Sequence, residues 1–352
     1  MRRNATIGVV TSLAICASVS LVLFGTPARA KNAAAMQHTT LPFGSTLIVR
    51  RDPAVATVAL ELWFRAPSVG FNQPAPGLAR YAATAIAASK ANDGVSLSDL
   101  IKSVGGRFAI SAYPDAISVA ASVPAGTEAR VLRAMTAAYF TPVVTVEGMH
   151  GGLRDVVVAA TQQRFDPEGT LHDGIFGLLF SSGPAHYAGV PSSAQALGQI
   201  TMDGLKAFAG RAFRSSNAII AVAGNVQTDL SGAIVAGKVD GERMLAPIDS
   251  VRAPQPASTT RPFAEDGVGL GWVGPSIADP KAATALDFIA DYLFRPETGV
   301  VARASAVDAP DAFLSGQFVT LHDPGVMLVE IAGKHYDAVR LRAQTEIARL
   351  HT

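Results

Sequence analysis

The chain has 352 residues, 49% of them hydrophobic and 16% charged, with a formal charge of +1 and one cysteine. That length accommodates two domains more readily than one. The near-neutral balance excludes the electrostatic footprint of a protein that binds nucleic acid or an anionic membrane surface.

Arg2 and Arg3 precede a mostly apolar, uncharged run from Ile7 to Phe24, and Ala28-Arg29-Ala30 follows it. This is the charged start, apolar middle and small-residue cleavage site of a secretory signal peptide over 1–30, which predicts export to a periplasmic or extracellular location. A run of this length leaves an uncleaved N-terminal membrane anchor as the second reading. Cleavage removes Arg2, Arg3 and Arg29, taking the charge from +1 to −2, and it removes Cys16, so neither disulfides nor thiol chemistry are expected of the mature chain.

Val55 to Phe64 reads as a strand, Gly77 to Ser89 as a helix, Arg107 to Tyr113 and 116–123 as a hairpin opened by Gly105-Gly106, and 127–139 as a helix. A helical region over 145–212 follows, then a strand at 217–224 and a terminal helix near 228–235. The Pro/Ala/Ser/Thr-rich stretch 246–262 reads as a linker. Beyond it the order returns: strand 268–273, helix 281–294, strand 318–323, strand 325–332 and helix 336–350. The repetition predicts an α+β fold in which a unit of antiparallel sheet backed by helices is duplicated and the second copy is incomplete. The domains are expected at 40–245 and 263–352. A unit without its later helices would leave a sheet face uncovered, so either a partner covers that face or the sequence is a truncated fragment of a longer protein. Gly267-Val268-Gly269-Leu270-Gly271 lacks the helix start that a phosphate loop needs, and it reads as a strand requiring close backbone approach.

Several of these segments, in this order, resemble the pitrilysin/insulinase-like (inverzincin) metallopeptidase family: the strand and glycine loop to Gly70, the helix opening Gly77-Leu78-Ala79, the Gly105-Gly106 turn with Asp115, the helix Arg154 to Thr161, Asp166-Pro167, Ala185-His186-Tyr187 and the run Asn217 to Val226. In that family the first helix carries H-x-x-E-H, two histidines on one face sharing zinc with a glutamate that activates water. The corresponding residues here are Arg80, Ala83 and Thr84, and the family's third ligand, a glutamate, falls on Ala160. The resemblance therefore implies a degenerate member that has lost its metal site, with no cofactor.

What the resemblance leaves is peptide holding, in which substrate adds as a strand to an exposed sheet edge. The edge implied is Arg107, Phe108, Ala109, Ile110, Ser111, Ala112 and Tyr113, the other reading being a strand paired on both sides. Two functions follow as expectations. One is a non-catalytic partner subunit, in a hetero- or homodimer with another insulinase-like chain, or a peptide-binding protein. The other is a zinc metallopeptidase with displaced ligands, for which His150 and His172, flanking the helix of Ala160, are the conceivable donors, solvated histidines being the plainer reading. Arg80 either projects into the former metal cleft or caps an exposed helix face.

Overall fold

The computed structural model describes residues 36–65, 77–90, 94–113, 116–180, 194–237, 258 and 265–350, which belong to one compact unit, Met36–Thr352. The expected signal peptide, the linker apart from Ser258, the Ala185-His186-Tyr187 turn and Asp115 lie outside the described residues.

Strands β1 (Gln37–Thr40), β2 (Thr46–Arg51), β3 (Thr57–Phe64), β4 (Arg107–Ala112), β5 (Ile117–Pro124) and β6 (Ala218–Gly224) form a six-stranded sheet in the order β1-β2-β6-β3-β5-β4. Only β2 and β6 run parallel; every other pair is antiparallel. Strict alternation sets the faces. In β3 the residues Val58, Leu60, Leu62 and Phe64 are buried, while Thr57, Ala59, Glu61 and Trp63 take the opposite side.

The buried side packs against helices α1 (Leu78–Ala88), α2 (Leu97–Ser103) and α3 (Glu128–Phe140). Phe64 is the centre of an aromatic cluster, with ring centroids 5.9, 6.2 and 5.1 Å from Tyr139, Phe140 and Phe213. Helices α4 (Val146–Phe165), α5 (Pro167–Leu179), α6 (Ala194–Gly198) and α7 (Met202–Ala212) make up the expected helical region. Caps explain several starts: Ser96 accepts from the Asp99 amide ahead of α2, and Thr201 from the Gly204 amide ahead of α7. The helix expected near 228–235 is instead a three-residue 3-10 turn, Ser231–Ala233. Asp229 diverts that chain, because its carboxylate binds the Ser231 amide and hydroxyl at a turn.

The second sheet contains β7 (Gly267–Gly274), β8 (Phe313–Val319) and β9 (Gly325–Ala332) in the order β7-β9-β8, backed by α8 (Pro280–Phe294), α9 (Val300–Asp308) and α10 (Tyr336–Arg349). The first half contains the same succession: β3, α1, α2, β4, β5, α3, with β3-β5-β4 side by side. The architecture is thus α+β, a unit of antiparallel sheet and helices appearing twice, with fewer strands in the second copy among the described residues. Two details differ from expectation. The hairpin strand is 313–319 rather than 318–323, since the ring of Phe294 fills the space beside Gly316, where any Cβ would lie 2.2 Å from it. Helix α9 has no counterpart in the sequence-based expectation.

The uncovered sheet face is also corrected. All eight residues of β9 are buried. One face meets α8 and α10 through Met327, Val329 and Ile331, and the other meets α5 through Val326 and Leu328, packed with Ile175, Phe176, Leu179 and Phe180. Gly269 and Gly271 of β7 admit α5: a Cβ on Gly271 would stand 2.1 Å from Ile175. Bare apolar surface lies elsewhere, on α8, where Phe288 is 69% and Tyr292 52% exposed. Among the described residues no helix is long and apolar enough to cross a membrane.

Candidate functional site

Helices α1 and α4 carry the four positions that the resemblance assigns to the family's metal site, and they are the most intimately packed helix pair of the first half. Gly148 and Gly152 make this possible, since a Cβ on Gly152 would lie 2.8 Å from the Ala85 nitrogen and one on Gly148 2.0 Å from Ser89 Oγ. Arg80 and Thr84 are half-buried one turn apart on α1, and the Thr84 hydroxyl donates to the Arg80 carbonyl at 2.8 Å. Ala83 is fully buried, and its carbonyl accepts from the Tyr139 hydroxyl at 2.8 Å. Ala160 is half-buried on α4.

Burial holds the Arg80 guanidinium below its ordinary pKa, with the field of Asp155 on α4 acting in the opposite direction. Arg80 therefore does not cap an exposed helix face. These donors do not fit zinc: a guanidinium repels the ion, two methyl groups have no lone pairs, and one hydroxyl is engaged with backbone. Among the described residues no three His, Cys, Asp or Glu side chains are grouped to hold a metal. His150 is exposed on α4, whereas His172 packs on the second sheet from α5 with its ring 4.6 Å from that of Phe176. The two do not combine with Ala160 into a site.

The other sequence-derived candidate is β4. It is the last strand of its sheet and pairs only with β5, from Arg107 opposite Ser122 to Ala112 opposite Ile117. Its other edge is open among the described residues. Phe108 and Ile110 lean on the core, while Arg107, Ala109, Ser111 and Ala112 are exposed. Tyr113 lies just past the strand, its amide donating to the Ala116 carbonyl at 2.8 Å. Its ring stacks on Trp63, with centroids 5.2 Å apart and planes 27° apart.

Trp63 and Glu61 were not singled out from sequence, although the alternation of β3 places both on the side of the sheet opposite α1, α2 and α3. That side is paved largely by Ala59, Ala109, Ala120 and Ala221, with Glu61 accepting a hydrogen bond from Ser118 Oγ at 2.5 Å. A floor of small side chains beside an aromatic stack and an unpaired edge gives an extended chain backbone donors and acceptors along one side and room on the floor.

No protein-family model matches the sequence, and no curated protein matches it. Solved structures do match in fold. The chain superposes on the inactive domain of an M16 peptidase from Pseudomonas fluorescens with a TM-score of 0.73 at 17% identity, covering 90% of this chain and 79% of that one. A protease from Helicobacter pylori gives 0.72 at 15% identity, with coverage of 90% and 80%. A chain of complex III2 from Candida albicans gives 0.65 at 13% identity, with coverage of 89% and 80%. The fold is that of M16, or insulinase-like, peptidases.

Proposed function

We propose that this chain is a non-catalytic insulinase-like protein, exported to the periplasm or beyond, that holds an extended peptide along β4 and serves as the partner subunit of an active zinc peptidase. The observation that carries the proposal is the pairing of an open edge strand with a former metal site whose side chains, Arg80, Ala83, Thr84 and Ala160, cannot ligate zinc. The inactive domain from P. fluorescens and the complex III2 chain lend support, because both are fold relatives of this chain and one is described as inactive. In this reading residues 40–245 and 263–352 are the two domains, joined by 246–262, and no cofactor is bound.

Adjacent residues of an antiparallel strand point their amides alternately toward the neighbour and away from it. Proline placed in turn at Ala109 and Ile110 therefore removes one amide from the β4–β5 ladder and one from the free edge. The expected result is that one of the two variants stays folded but loses peptide binding by about tenfold or more, measured by fluorescence anisotropy of a labelled extended peptide. The purified chain is expected to contain no stoichiometric zinc and to cleave nothing until an intact H-x-x-E-H relative is added. About one zinc per chain, with chelator-sensitive proteolysis by the chain alone, would overturn the proposal in favour of the displaced-ligand peptidase.

A further inference from the structure

Helix α5 presents Glu168, His172 and Phe176 at four-residue spacing along one line of its surface, next to the apolar line Leu171, Ile175, Leu179 that meets Gly269 and Gly271. Opposite the polar line stands Glu330, in the second half of β9 and fully buried. Among the described residues no hydrogen bond reaches either of its carboxylate oxygens. A buried carboxylate without a donor costs several kcal/mol unless a charge compensates it or a proton neutralises it. Among the described residues the one cationic candidate beside it is His172, whose Nδ1 lies 3.5 Å from Glu330 Oε1.

Among the described residues the surroundings add no other positive charge. Across the ladder Glu330 faces Gly269 of β7, which has no side chain, and Ser315 of β8, whose hydroxyl points to Glu168 Oε1 at 3.5 Å. Glu168 is half-buried, and its pKa is raised by burial first, then by Glu330 and by Asp166 at the helix N-cap, with His172 and Ser315 acting against them. Asp173 lies off this line of the helix. Two carboxylates, Glu168 and Glu330, and one imidazole therefore meet at the seam between α5 and the second sheet, with Asp166 exposed at the start of the helix.

We propose that His172 and Glu330 form a proton-dependent fastener between the two halves of the molecule: charged imidazolium clamps α5 onto β9, and loss of its proton leaves an uncompensated carboxylate that loosens the seam. Histidine is the side chain suited to such a change, since it alters charge between pH 5 and 8. Glu168 works in the same sense. Its folded-state pKa is raised, so the proton it holds contributes stability that is complete below the unfolded value and is lost as pH rises through the folded one. Glu168 thus adds to the loosening of the seam as pH rises.

The test uses the full mature chain and its His172→Phe, Glu330→Gln and double variants, with thermal unfolding at pH 6 and pH 8. Phenylalanine keeps a ring against Phe176 but cannot charge, and glutamine keeps the shape of Glu330 but needs no counter-ion. The wild-type midpoint is expected about 2–4 °C lower at pH 8 than at pH 6 through this contact. Each single variant should remove most of that difference, and the double variant should remove no more than either alone. Limited proteolysis should cut the wild type between α5 and β7 several-fold faster at pH 8, a preference absent from Glu330→Gln. A wild-type difference that persists unchanged in both single variants would overturn the proposal. So would variants whose effects on the difference simply add. If His172→Phe does not fold, the Glu330→Gln pair of measurements decides alone.

Discussion

Replacing Gly152 with leucine is expected to abolish the soluble, folded protein, and replacing it with alanine to lower stability measurably. In an exposed helix Gly→Ala would stabilise by about 1 kcal/mol, because alanine loses less backbone entropy. At this position the added carbon meets the Ala85 nitrogen at 2.8 Å, the Ala85 Cα at 3.0 Å and its Cβ at 3.1 Å. Two of those atoms are backbone of α1, which cannot step aside as the end of a flexible side chain would. Forcing the helices apart would disturb Ser89, which ties Ala85 to the Thr145 amide through its hydroxyl. Overpacking of this kind costs about 1–3 kcal/mol and exceeds the propensity gain. Circular dichroism melts of the alanine variant check the sign; a higher midpoint than wild type would show that α1 and α4 are not packed this closely.

The second large effect is expected from Phe64→Ala. The ring is 1% exposed and touches Tyr139, Phe140 and Phe213, so its removal leaves a cavity that three rigid rings cannot easily fill. Truncations of buried phenylalanine cost about 3–5 kcal/mol. For a chain of this size that corresponds to a fall of roughly 10 °C in the midpoint, by calorimetry or fluorescence. Phe64→Leu, which keeps most of the volume, is expected to lose less than half as much. Equal losses in the two variants would indicate that the cluster is loose.

Much of the architecture was legible because it is written in local alternation. Leu60 and Leu62 against Glu61 and Trp63 define β3 and its faces, and the same period marks β5, whereas β9 is a near-continuous apolar run buried on both faces. The placement of the four positions that the resemblance assigns to a metal site was legible in part, since Arg80, Ala83 and Thr84 sit on α1 and Ala160 on α4. Features that depend on distant segments were not. Gly269 and Gly271 announced a close approach, but nothing near them in sequence says that Ile175 makes it. Gly316 disguised β8, whose start was expected at Phe318, because nothing near it in sequence shows that the ring of Phe294 fills the gap beside it. Leu230, Ala233 and Ile234 suggested a helix, whereas a local carboxylate turn at Asp229 claims the backbone donors first. His172 read as a solvated histidine, since its partner, Glu330, lies on a strand of the other half.

The position of α5 bears on the order in which the chain acquires its structure. This helix emerges during synthesis well before β7 and β9, the strands it covers, and it is joined to the first half through α4. The second sheet, by contrast, has one wall supplied by its own α8 and α10 and the opposite wall supplied from upstream. Its strands thus have no complete enclosure to collapse into until an earlier-made segment offers one. The first half is therefore expected to fold ahead of the second, with contacts between residues far apart in sequence closing last.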